Sequence, residues 1–250
     1  MAQKLKAHTP QHIIPTLLAH VVPKNWQRSD YLKVFCEELI PEVARQGLAE
    51  AVDVFCDRGA FNLEETRVIF EAAVGEGLRV KAHAEQLEPT HASQLVAHYG
   101  GLSADHLEQS DSDDWGAMAR ANTVATLLPG ATFILKKHFP DVQAMRSQGL
   151  KIALASDFNP GSSPLMSLFL TMQLGMLAGL SLEESLIATT AHAADALGRS
   201  ELGRLAVGCQ ADFLLVNHIN PRYPLYTWGH SDLKEVYIAG KPCLHELLSR

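Results

Sequence analysis

From residue 14 onward, hydrophobic and polar positions repeat one unit: a short β-type run, a loop, then a run with helical spacing. Ile14–Ala19 is the first apolar run and ends at His20; Ser29–Ala44 follows, with Leu32, Phe35, Cys36 and Leu39 on one helical face. Ala51–Phe55 predicts a second strand, and Leu63–Glu76 a helix stopped by Gly77. Leu78–Ala82 predicts a third strand with His83 at its end, followed by a helix over Pro89–Tyr99. Gly101–Asp105 is a poor strand by propensity and is taken as one from its place in the repeat; Asp111–Arg120 is the next helix. Thr123–Leu128, closed by Pro129-Gly130, is the fifth strand, Asp141–Gln148 a helix, and Lys151–Ser156 the sixth strand.

Beyond Asp157 the pattern changes. Ser162–Ala178 and Leu182–Leu197 read as two helices, the second opened by a Ser181/Glu184 capping box. Gly203–Leu205, Ala211–Val216 and Leu233–Ala239 then read as short strands between glycine turns. This predicts an α/β catalytic unit over residues 1–200 and a small β segment over 201–250. Strands that alternate with helices imply a parallel sheet with right-handed crossovers. An open doubly wound sheet would suit the count of six, but no glycine-rich dinucleotide or P-loop motif follows any strand. Polar residues at several strand ends favour an incomplete TIM-type (β/α) barrel, since a closed one needs eight strands.

Composition narrows the partners. With 250 residues, 47% of them hydrophobic, the chain can bury a large core. The net charge of -7 and the lack of a basic block argue against nucleic acid, while a small anionic substrate stays compatible. The four cysteines, Cys36, Cys56, Cys209 and Cys243, form no Cys-x-x-Cys pair and read as free thiols of a reducing cytoplasm. No stretch has transmembrane length, and the Leu- and Met-rich run 164–180 is interrupted by Ser, Thr and Gln, as in a buried helix.

The candidate chemistry lies at three strand ends, carrying His83, His106 and Asp157. Asp157 ends an apolar strand, where a carboxylate is costly unless it is paired, hydrogen-bonded or on a metal; capping the Asn159-Pro160-Gly161 turn is its plain structural role. Gly161-Ser162-Ser163-Pro164 offers backbone N–H groups at an expected helix start, a seat for a substrate carboxylate. A single strand-end histidine is commonly a hydrogen-bonded structural group, but two of them on the rim of Asp157 suit a divalent ion such as zinc or iron. Such an ion lowers the pKa of a water and polarises the bond under attack, and His106 or Asp157 can move the proton. Catalytic zinc takes three protein ligands, and the 12 histidines include no His-x-His pair.

In order along the chain, 16–23, Ala51–Cys56 with Gly59-Ala60-Phe61, Lys81–Leu87, Ser103–Glu108, Leu127–Ala131 and Ala155–Pro164 resemble the imidazolonepropionases, metal-dependent amidohydrolases of histidine degradation. Gly203–Phe213 resembles the strand return of amidohydrolases generally. The resemblance implies an eight-stranded barrel with a composite β-sandwich, and hydrolysis of imidazolone-5-propanoate to N-formimino-L-glutamate with zinc or iron. It implies His83 and Asp157 as metal ligands, His106 on the substrate carbonyl, and His20, Asn159, Gly161 and Ser162 as substrate contacts. Gln86 stands where some members carry Glu and is expected on the ring amide.

On this mapping the six strands correspond to strands three to eight, and the His-x-His pair and the N-terminal half of the sandwich are expected from an upstream segment or a second polypeptide. Glu88–Ala92 and Gly229-His230-Ser231 depart from the family pattern. A related amidohydrolase or deaminase acting on another cyclic substrate, and a catalytically incomplete barrel fragment, are the competing readings. Exposed sheet edges predict a homodimer or edge-to-edge association.

Overall fold

The computed structural model describes residues 2–220, 222–229 and 232–243. The departure at Gly229-His230-Ser231 therefore falls partly outside the described residues, as do His230 and His245. Six parallel strands, β1 (Thr16–Ala19), β2 (Ala51–Cys56), β3 (Arg79–Ala84), β4 (Ser103–His106), β5 (Val124–Leu127) and β6 (Ile152–Leu154), pair in sequence order. Among the described residues no pairing joins β1 to β6, so the sheet is an open run of β/α units.

Alternation along the strands separates two faces. Val52, Val54, Ala82, Ala104, Ala125, Ile152 and Leu154 join one buried core with Ile69, Phe70, Val96, Met118 and Met145 of the covering helices. Asp53, Lys81, His83 and Asp105 occupy the alternate positions, and this second face carries the polar chemistry. A second antiparallel sheet of β7 (Phe213–Val216), β8 (Leu233–Ile238) and β9 (Lys241–Pro242) forms near the C-terminus.

Several boundaries differ from the sequence reading, each for a local reason. The helix expected over Ser29–Ala44 runs from Arg28 to Arg45 but widens to a π-turn at Phe35–Leu39, where Ile40 N–H bonds to Phe35 O. Pro41 just beyond has no N–H to continue the ordinary ladder. The helix expected from Pro89 begins at Ala92, because His91 is left-handed (φ 56°) and the Glu85 carboxylate accepts from Ala92 N at 2.6 Å. The helix expected over Leu182–Leu197 breaks at Thr189-Thr190, whose hydroxyls bond back to Ser185 and Leu186 carbonyls.

Pro129-Gly130 opens a short helix, Pro129–Ile134, where the sequence suggested only a strand stop; proline suits a first helical turn. Gly203–Leu205 forms no strand. Gly203 sits at φ 69°, where a Cβ would lie 2.4 Å from Thr190 O, so this glycine serves a tight chain approach. At the sheet edges, among the described residues β1 pairs only with β2, while the helix Ala191–Ala196 packs beside β6 and His192 Nδ1 donates to Ile152 O at 2.9 Å.

Candidate active site

The C-terminal ends of β1 to β6 deliver the candidate residues to one end of the sheet. His83 lies within β3, one residue before its end, rather than beyond it; Asp157 stands three residues past β6. The backbone is left-handed at Glu85 (φ 50°), His106 (φ 81°), Leu107 (φ 71°) and Asp157 (φ 50°). Such non-glycine conformations cost about 1–3 kcal/mol each and persist where the surroundings impose them, commonly at functional sites.

Three imidazoles form a row. His20 and His83 have ring centroids 6.0 Å apart, and His83 and His106 5.3 Å apart. Phe55 packs beside His20 at 5.0 Å and His83 at 6.0 Å. His83 and Asp157 line one cavity of about 240 Å³ together with Lys81, Asp105 and Thr126. Gln86, buried two residues past β3, is not among the residues lining it.

Asp53 is the partner that sequence reading missed. Its Oδ1 lies 2.9 Å from His83 Nδ1, which fixes the ring and leaves Nε2 available. A buried carboxylate on the far nitrogen of a histidine is the usual support of a metal-ligating imidazole. The lone charge in Ala51-Val52-Asp53-Val54-Phe55 was the signal that could have found it. Ligand atoms of Asp53, His83 and Asp105 all lie within 4.8 Å of one another. Asp105 is engaged elsewhere, accepting from Ser103 Oγ at 2.7 Å and facing Lys81 Nζ at 3.7 Å.

Electrostatics follow from this packing. Burial pulls the His83 pKa down, but Asp53, with Asp105 and Asp157, outweighs it and raises it to about 9. Burial pushes Asp53 up, and His83 and Lys81 more than reverse this, leaving its carboxyl below the usual range. Asp157 is raised, mainly by burial, against the attraction of His83. His106 falls to about 3 through burial and the charge of His83; His20 is lowered for the same two reasons. Cys56 is a buried free thiol raised to about 11 by burial, which is an inert cysteine rather than a nucleophile.

The residues thus fit a divalent ion in part. His83 is oriented by Asp53 with one nitrogen left over, and Asp157 is a half-buried carboxylate on the same cavity. The expected anion seat at Gly161–Pro164 has a different form. The helix starts at Leu168 with Ser167 as its cap, and the N–H groups of Gly161 and Ser162 both donate to Asn159 Oδ1 at 2.8 Å. Asn159 Nδ2 in turn donates to Asp157 O at 2.7 Å, so Asn159 braces the loop that carries Asp157.

Glu85 is buried, and its Oε1 accepts from Ala92 N, Ser93 N and Thr90 Oγ1, while Oε2 has no hydrogen-bond partner among the described residues. Burial raises its pKa to about 7 despite those bonds. The folded value exceeds the unfolded one, so its contribution to stability is complete below about pH 4.5 and is lost as pH rises through about 7. Glu85→Gln is therefore expected to raise stability at pH 8 by about 1–2 kcal/mol and to leave it unchanged at pH 4. Urea titrations at both pH values check this; equal changes at both would refute the buried-charge origin.

A family model described as "Amidohydrolase family" matches residues 17–243. The chain is 44% identical to an imidazolonepropionase of Chromobacterium violaceum over 245 residues, covering 96% of this chain and 59% of that protein. It is 46% identical to one of Deinococcus radiodurans, covering 90% of this chain and 57% of that protein. The chain thus spans less than two thirds of the length of these curated relatives. Its fold matches a zinc-bound adenosine deaminase from Xanthomonas campestris with a TM-score of 0.76 at 20% identity, covering 97% of this chain and 63% of that one.

Proposed function

The chain belongs to the amidohydrolase family, and from that premise we propose that it furnishes the greater part of an imidazolonepropionase active site. The reaction is hydrolysis of the cyclic amide of imidazolone-5-propanoate to N-formimino-L-glutamate, a step of histidine degradation in the cytoplasm. The observation that carries this reading is the meeting of His20, His83 and His106 at one end of the sheet, with Asp157 on the cavity of His83. Two relatives bearing that name, at 44% and 46% identity, support the substrate.

In this reading His83 and Asp157 hold one zinc or iron ion. Such an ion, when bound, lowers the pKa of a water and polarises the amide carbonyl. His106, kept neutral by burial, contacts that carbonyl and handles a proton; an unprotonated imidazole near neutral pH can accept one. His20, the most exposed of the three rings, meets the substrate from the β1 side. The loop of Asn159, Gly161 and Ser162 borders the anionic propionate, and Gln86 reaches the ring amide.

A full ligand set needs further donors, which we place on the two additional strands that close an eight-stranded barrel. We place the antiparallel sheet within 201–250 in a composite β-sandwich. Among the described residues no helix is long and apolar enough to cross a membrane, and association through the β1 edge is the expected mode of self-contact until that edge is covered.

The complete enzyme, meaning this chain joined to a His-x-His strand, is expected to hydrolyse imidazolone-5-propanoate and to lose turnover with a chelator. A panel including other cyclic amides and aminated purines tests the substrate. Preferential release of ammonia from an aminated ring would replace the reading by a deaminase, and no turnover of any substrate would leave a binding or remnant domain.

A further inference from the structure

The chain turns sharply after β4, through left-handed His106 and Leu107. Leu107 N donates to Ala84 O at 3.0 Å and Gln109 N to Glu85 O at 2.7 Å, so the turn is pinned to the end of β3 on both sides. It draws Glu108 inward: the side chains of His106 and Glu108 are 3% and 1% exposed, and Nδ1 of the ring lies 3.9 Å from Oε2 of the carboxyl. Neither atom has a hydrogen-bond partner among the described residues.

Two buried polar atoms that lack any other partner and face each other are a strong sign of a functional pair, because each alone is costly to bury. The other carboxyl oxygen is fixed, accepting from Thr132 Oγ1 at 2.6 Å, and Thr132 lies in the helix Pro129–Ile134. That bond anchors the carboxyl while Oε2 remains for the imidazole. A small side-chain rotation closes the remaining gap to hydrogen-bond length.

We propose that Glu108 is the positioning residue of His106: its carboxylate accepts a hydrogen bond from Nδ1–H and so fixes the tautomer whose Nε2 carries the free lone pair. This rests on the reading of His106 as the group facing the substrate. A neutral ring has one proton to place, and its far-nitrogen partner decides which nitrogen can act as base. Thr132 orients the carboxyl in turn. The arrangement parallels that of Asp53 on His83, so two neighbouring imidazoles are each set by a carboxylate from the protein interior.

Long-range ¹H–¹⁵N spectra of the histidine-labelled chain at pH 8 test the pairing, with the His106 signals identified by their loss in His106→Asn. The wild type is expected to show Nδ1 protonated and Nε2 bare. Glu108→Leu is expected to shift the ring to the Nε2-protonated form, whereas Glu108→Gln, whose side-chain oxygen still accepts, retains the wild-type pattern. A merely structural glutamate would not move the tautomer of a ring whose chain remains folded.

Nε2 protonated in the wild type overturns the proposal even if Glu108→Leu fails to fold; an unchanged tautomer in folded Glu108→Leu overturns it equally. The spectra need no turnover. A complete enzyme that leaves imidazolone-5-propanoate intact, beside a chain that shows Nδ1 protonated, refutes the hydrolase reading and supports the pair.

Discussion

Asp157→Asn is expected to lower metal-dependent hydrolysis by the complete enzyme by at least about 10²–10⁴-fold, the range associated with loss of a positioned proton-transfer group, and further through loss of the ion. The substitution is selective. Asp157 is left-handed at φ 50°, a conformation that asparagine tolerates as well as aspartate. The bond from Asn159 Nδ2 goes to the backbone oxygen of residue 157, so the loop keeps its brace. What disappears is the charge opposite His83, on the cavity the two share. Turnover measured with zinc or iron in excess, beside an unchanged thermal transition, checks this. Full activity in the variant would remove Asp157 from the site.

Asp53→Asn is expected to weaken the ion by about 10–100-fold, as loss of an outer carboxylate on a ligating histidine does. It also has a signature in the metal-free chain. His83 has a folded pKa of about 9, above its ordinary value of 6.5. The stability from its ion pair with Asp53 is therefore complete below about pH 6.5 and is lost as pH rises through about 9. Asp53→Asn should flatten that part of the pH profile. Unfolding titrations at pH 6 and pH 10 measure it; a wild-type slope in the variant would show that another group sets the His83 charge.

The repeat of strands and helices was readable from periodicity because each strand buries one face under helices, as Val52 and Val54 do. The strand ends His83, His106 and Asp157 were readable as polar stops after apolar runs. Asp53 was passed over because it sits mid-strand, and only the parallel register that pairs Phe55 with His83 brings its carboxylate to the ring. Glu108 was likewise illegible in the sequence, since its role depends on two successive left-handed residues that no propensity suggests. The helix start expected at Gly161–Pro164 lies instead at Leu168, and a side chain, Asn159, takes the N–H groups of Gly161 and Ser162. Long-range register and side-chain competition with the backbone are absent from local pattern.

His83 and Asp157 are proposed to hold one divalent ion at the end of this sheet. Metal content of the purified complete enzyme tests it most directly, in the wild type and in His83→Ala, Asp157→Asn and Asp105→Asn. The expected result is one equivalent of zinc or iron in the wild type, retained in Asp105→Asn and lost in the other two. Metal retained in His83→Ala or in Asp157→Asn, or lost only in Asp105→Asn, would contradict it.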